Sequence, residues 1–135
     1  MTDTAETAAL PLRRPHDNQY LAGNYAAVES EVTAHDLPVV GEIPVELEGR
    51  WLRNGPNPES VDDPALHHWF LGTGMVHGVR LRGGKAEWYK NRFVLNAADR
   101  VAGLFGSNTN VGGFAGTTWA MVEGGQPPVE LDYEL

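Results

Sequence analysis

Two runs of alternating residues meet at Gly83-Gly84, and this pairing restricts the fold more than anything else in the chain. A glycine pair between strand-like runs is a two-residue hairpin signal, because both turn positions can take a positive φ. The stretch HHWFLGTGMVHGVRLRGGKAEWYKNRF, from His67 to Phe93, therefore reads as two antiparallel strands approached through Gly72-Thr73-Gly74. The turn sets Arg82 opposite Lys85, Leu81 opposite Ala86, Arg80 opposite Glu87 and Val79 opposite Trp88. Leu81, Val79, Ala86 and Trp88 then share an apolar face, which His77 and Met75 join by parity. Arg80 and Glu87 meet on the other face as an opposite-charge pair worth about 0.2–1 kcal/mol.

The rest of the chain is punctuated for the same kind of structure. Sixteen glycines and nine prolines in 135 residues favour short elements and tight turns over long helices. Gly49 to Arg53 reads as a strand stopped by Asn54-Gly55-Pro56-Asn57-Pro58. Ala98, Val101, Ala102 and Phe105 are spaced for one or two helical turns ended by Gly106. A second hairpin turns at Ala115-Gly116, placing Gly112 opposite Trp119 so that the ring lies over bare backbone. Trp119, Met121 and Glu123 share one face, and Ala120 and Val122 the other. The last residues, VELDYEL, stop without a capping element. The expected organisation is a flexible tail over residues 1–20 and one mainly β unit over residues 21–135.

Composition excludes several classes. A formal charge of −8 opposes binding to nucleic acid. Without cysteine there are no disulfides and no thiolate metal sites. No apolar run reaches the ~20 residues of a membrane helix, and the start lacks the basic-then-apolar order of a secretory signal, so the expected location is the cytoplasm. Adjacent strand residues point to opposite faces and no third histidine stands at ligand spacing, so His67, His68 and His77 read as structural or surface histidines, with a small metal site as the third reading. Gly72-Thr73-Gly74 lacks the spacing and following helix of a phosphate cradle. Glu123, at the end of an apolar strand, is either an exposed strand-end charge or a buried carboxylate with a partner such as a histidine ring.

Five segments, in order, resemble the carotenoid cleavage oxygenase family, which includes apocarotenoid and lignostilbene dioxygenases and the retinal pigment epithelium isomerase. They are GNYAAVESEV from Gly23, VVGEIPVELEGRWLRNGPNP from Val39, HHWFLGTGMVHGVRLRGGKAEWYKNRFV from His67, NTNV from Asn108 and AGTTWAMVEGG from Ala115. The resemblance implies the amino-terminal portion of a seven-bladed all-β propeller, incomplete as given. It also implies a non-haem Fe(II) dioxygenase that cleaves a conjugated double bond of an apolar polyene with dioxygen, giving two carbonyl products.

In the family four histidines bind the iron, and all lie beyond the segment matching AMVEGG. By the resemblance, then, no first-shell metal ligand precedes Leu135, no catalytic residue is assigned, no iron is expected on this stretch and the stretch alone is inactive. His67, His68 and His77 match histidines that the family does not use as ligands. Glu123 matches the glutamate that holds one of the iron histidines. Thr73, Phe114 and Thr117 depart from the family's frequent aspartate, histidine and arginine, and the loop from Phe105 to Asn108 is short. Val122 replaces a lysine of some hydroxystilbene cleavers, which favours a carotenoid or apocarotenoid substrate. Peripheral membrane contact and self-association through open strand edges are further expectations. The alternative is a non-catalytic β-rich binding module or truncated pseudo-enzyme.

Overall fold

The computed structural model describes residues 18–58, 60–94, 108–122 and 127–135. The first 17 residues of the expected tail, the expected helical turns at 97–106 and Glu123 lie outside the described residues. Among the described residues there are seven strands: β1 (Thr33–His35), β2 (Gly49–Asn57), β3 (Thr73–Arg82), β4 (Lys85–Val94), β5 (Asn108–Phe114), β6 (Thr117–Val122) and β7 (Val129–Leu131). They form two antiparallel sheets, β1-β4-β3-β2 and β5-β6-β7. No α-helix occurs among the described residues; short 3-10 turns at Gln19–Leu21, Gly23–Tyr25 and Pro64–Leu66 punctuate the connections.

The central hairpin turns at Gly83-Gly84, with φ of 54° and 75°, as the glycine pair requires. Its outer register is the expected one, Arg82 with Lys85 and Leu81 with Ala86. A bulge between Arg80 and Leu81 then inserts Glu87 as an extra residue, so Arg80 pairs with Trp88 and Val79 with Tyr89. This corrects the expected apolar face. Trp88 lies with Gly78 and Val76, whereas Val79, His77 and Met75 share the opposite face with Tyr89 and Asn91. The bulge keeps the Arg80–Glu87 ion pair at 3.7 Å, now with Arg80 largely buried.

β3 begins at Thr73, at the strand entry expected of Gly72-Thr73-Gly74, after Pro64–Leu66 and the turn that follows it. One further expectation is corrected. β2 runs on through Pro56 to Asn57, beyond the expected stop at Asn54. β2 is the edge strand of its sheet, where a proline without an N–H is tolerated.

The two sheets close on a small apolar core of Val76, Val94 and Ala120, all fully buried, ringed by Val111, Val129, Leu131 and Leu135. The second hairpin turns at Ala115-Gly116 and sets Gly112 opposite Trp119 as expected. The space over Gly112, however, is taken by the Met121 methyl, the nearest side-chain group to a Cβ built there at 3.4 Å.

Among the described residues no further element follows β7, and Tyr133, Glu134 and Leu135 fold back against the first sheet. Arg50 and Arg80 face each other directly across β2 and β3, a like-charge pair that would repel. Tyr133 and Glu134 lie against both. The Arg50 guanidinium sits 3.6 Å over the Tyr133 ring and donates to the Tyr133 carbonyl. Arg50 Nη1 also donates to the buried Thr118 Oγ1 at 2.7 Å, tying the sheets together. Glu134 pairs with Arg80 at 3.6 Å and accepts from the Trp88 indole at 2.9 Å. Leu135 fills the space above Gly78, whose absent side chain makes that approach possible.

Candidate functional site

Residues 28–32 are tied to one end of the first sheet, on the face turned away from the core, and residues 18–25 to the loop before β3; three asparagine side chains do the fastening. Asn57 Oδ1 accepts from Val28 N at 2.7 Å, and its Nδ2 donates to Val28 O at 2.9 Å, imitating a strand partner. Asn91 accepts from Val32 N and donates to Ser30 O at 3.2 Å, from a position almost wholly buried beside Met75. Asn18 donates to the carbonyls of Pro64 and His67, at 2.8 and 2.7 Å. A carboxamide suits this task because it carries a donor and an acceptor with the geometry of a peptide group.

Between this segment and the sheet lies a cleft of about 310 Å³. Tyr20, Tyr25 and Trp69 form an aromatic cluster at one side, with Tyr25 and Trp69 edge-to-face at 4.7 Å. Phe70, Met75, Arg53 and His77 also line the cleft. At its rim, Asn54 Nδ2 donates to Asn110 O at 3.1 Å, while Asn54 Oδ1 is buried with no hydrogen-bond partner among the described residues.

The three hairpin histidines are not brought together. His67 follows the Pro64–Leu66 turn and offers its backbone carbonyl to Asn18. The His68 ring lies 5.5 Å from Phe70 and accepts from the Phe70 backbone N–H at 3.3 Å. His77 projects from β3, its Nδ1 2.8 Å from the Tyr89 hydroxyl. Among the described residues no three histidine, aspartate or glutamate side chains form a metal-binding group. Arg53, Tyr89 and the asparagine clasps were not legible as site residues, since their roles depend on which face of β2 and β4 meets the amino-terminal segment.

His77 has its pKa lowered from the ordinary 6.5, first by burial and then by the Arg53 guanidinium beside it. His67 is lowered too, by burial and by His68. The folded state thus favours a neutral His77, while the unfolded chain recovers a pKa near 6.5 and binds more protons as the pH falls past it. Stability from this source is complete above about pH 6.5 and declines on acidification until the folded ring itself titrates. His77→Gln is expected to remove that part of the acid-side slope. Urea midpoints of parent and variant across this range test it; parallel slopes would contradict it.

Comparison with known proteins places this architecture. The family model described as retinal pigment epithelial membrane protein matches residues 25–134. A carotenoid cleavage oxygenase of Mycobacterium tuberculosis is 51% identical over 133 residues, covering 87% of this chain and 26% of the relative. The chain belongs to the carotenoid cleavage oxygenase family. Within that family, the carotenoid 9,10(9',10')-cleavage dioxygenase 1 of Arabidopsis thaliana is 43% identical over 101 residues, covering 74% of this chain and 17% of the relative.

Among solved structures, the lignostilbene dioxygenase of Pseudomonas brassicacearum matches 87% of this chain and 29% of its own, with a TM-score of 0.68 at 22% identity. The cobalt-substituted apocarotenoid oxygenase of Synechocystis matches 80% and 28%, with a TM-score of 0.63 at 26% identity. The two sheets are therefore part of a carotenoid oxygenase β-propeller. The chain spans about a quarter of the length of the Mycobacterium tuberculosis relative. The family is one of enzymes, its relatives being named as oxygenases and dioxygenases that cleave carotenoids. No helix among the described residues is long and apolar enough to cross a membrane.

Proposed function

We propose that residues 21–135 are the amino-terminal part of a non-haem ferrous dioxygenase that cleaves a conjugated double bond of a carotenoid or apocarotenoid into two carbonyl products. The observation that carries this reading is the 51% identity to the Mycobacterium tuberculosis carotenoid cleavage oxygenase across 87% of the chain. The described residues do not fit an iron centre, because no cluster of suitable donors forms among them. By the family resemblance the metal ligands are assigned to residues beyond the segment matching AMVEGG, and these 135 residues are read as inactive alone. Their contribution is architectural: they supply sheets of the propeller against which the remaining blades would close.

Within this reading Glu123 is a positioning residue, its carboxylate holding an iron-binding histidine from the rest of the propeller. An apolar polyene and dioxygen are the reactants, and the cytoplasm, with peripheral membrane contact, is the setting. Self-association of the isolated chain follows from its open edges: β2 leaves one side unpaired within its sheet, and Trp51 on it is 55% exposed. The departure of Val122 from lysine supports a carotenoid or apocarotenoid over a hydroxystilbene.

The test joins these 135 residues to the remainder of the Mycobacterium tuberculosis relative in place of its matching quarter. The hybrid is expected to retain iron and release aldehydes from an apocarotenal. Glu123→Gln in that hybrid is expected to lower iron affinity or turnover about 10–100-fold. A folded, iron-loaded hybrid without cleavage would contradict the function, and unchanged iron content and turnover in the variant would remove Glu123 from it.

A further inference from the structure

The cleft under the amino-terminal segment brings a guanidinium and an imidazole together with aromatic rings. Among the described residues no aspartate or glutamate lines it, although the chain as a whole bears a formal charge of −8. Arg53 does line it and makes no ion pair among the described residues. His77 stands directly opposite Arg53 in the β2–β3 ladder and faces the same cleft. The Tyr89 hydroxyl engages Nδ1 of that ring, leaving Nε2 as the nitrogen available to a ligand. Against these polar groups stand the rings of Tyr25, Trp69 and Phe70.

A guanidinium binds a carboxylate through two parallel N–H···O bonds, and aromatic side chains take a flat ring by offset or edge contact. The volume of about 310 Å³ suits one small molecule and not an extended polyene. A phosphate monoester, with twice the charge, would ask for more donors than one guanidinium and one imidazole. We propose that this cleft binds a small aromatic carboxylate, its anionic group on Arg53 beside His77 and its ring against Trp69 and Phe70.

The experiment titrates trans-cinnamate and, separately, cinnamyl alcohol into the full 135-residue chain labelled with nitrogen-15. The amide signals of Gly55, Asn57 and Met75, all at the cleft, are followed. Cinnamate is expected to shift them saturably and to bind at least about tenfold more tightly than the alcohol. Arg53→Gln is expected to abolish that preference while leaving binding of the alcohol unchanged. Should that variant lose its dispersed spectrum, the parent protein in rising sodium chloride takes its place, and cinnamate alone is expected to weaken. Equal binding of the two probes would overturn the proposal, as would the absence of any shift, a salt-independent preference, or undiminished cinnamate binding to a folded Arg53→Gln. None of these readouts involves iron or a carotenoid, so they stand or fall apart from the family activity.

Discussion

Gly72→Ala is expected to be among the most damaging single-atom-scale changes in the chain, lowering folding stability by about 3 kcal/mol or more. Gly72 has a φ of 143°, a region that residues with a Cβ rarely enter. A Cβ there would also lie 2.8 Å from Pro58 N and 2.9 Å from Asn57 C. Both atoms belong to backbone, so no side-chain rotation relieves the clash. Movement of Asn57 would also disturb its two hydrogen bonds to Val28 and its pairing with Thr73 at the end of β2. Gly83→Ala is the matched control, since its φ is also positive but no atom lies within 4 Å of the added carbon. That change is expected to cost only about 1 kcal/mol. Urea midpoints of the two variants decide the matter, and equal midpoints would contradict the steric argument.

Asn91→Ala is expected to destabilise by about 2–4 kcal/mol, because the loss of one side chain strands several groups. The Val32 N–H loses its acceptor, the Ser30 carbonyl loses a donor, and a void opens beside the buried Met75. The effect has a local signature. Exchange of the Val32 amide proton is expected to accelerate more than that of Val76 in the core, because residues 30–32 lift away from β4 before the sheets part. A variant that weakens both amides equally would mean that the amino-terminal segment and the sheets unfold as one unit.

The part of the fold legible in the sequence is the part fixed by neighbours along the chain. Gly83-Gly84 and Ala115-Gly116 announce their turns, and the registers next to them follow, including Gly112 opposite Trp119. The bulge at Arg80 and Leu81 was not legible, because nothing local distinguishes Glu87 as the extra residue. What rewards the bulge is remote in sequence: it turns Arg80 and Trp88 together toward Glu134, 46 or more residues away. The Asn54–Pro58 cluster misled for a related reason, since its proline is acceptable only at a sheet edge, and strand order is a tertiary property. The same limit applies to the cleft. Arg53 reads locally as one charge flanking a strand, and it becomes part of a site only when β3 sets His77 against it and the amino-terminal segment arches over both. The histidines led in the opposite direction: His67, His68 and His77 are conspicuous in sequence, and the fold keeps them apart.

The central claim is that the chain supplies propeller structure to a carotenoid-cleaving enzyme whose iron chemistry depends on residues outside it. The most direct measurement is made on the 135 residues alone, loaded anaerobically with ferrous iron, desalted, and exposed to an apocarotenal in air. The account predicts no stoichiometric iron after desalting and no aldehyde product. Iron retained at one equivalent together with aldehyde release would contradict it.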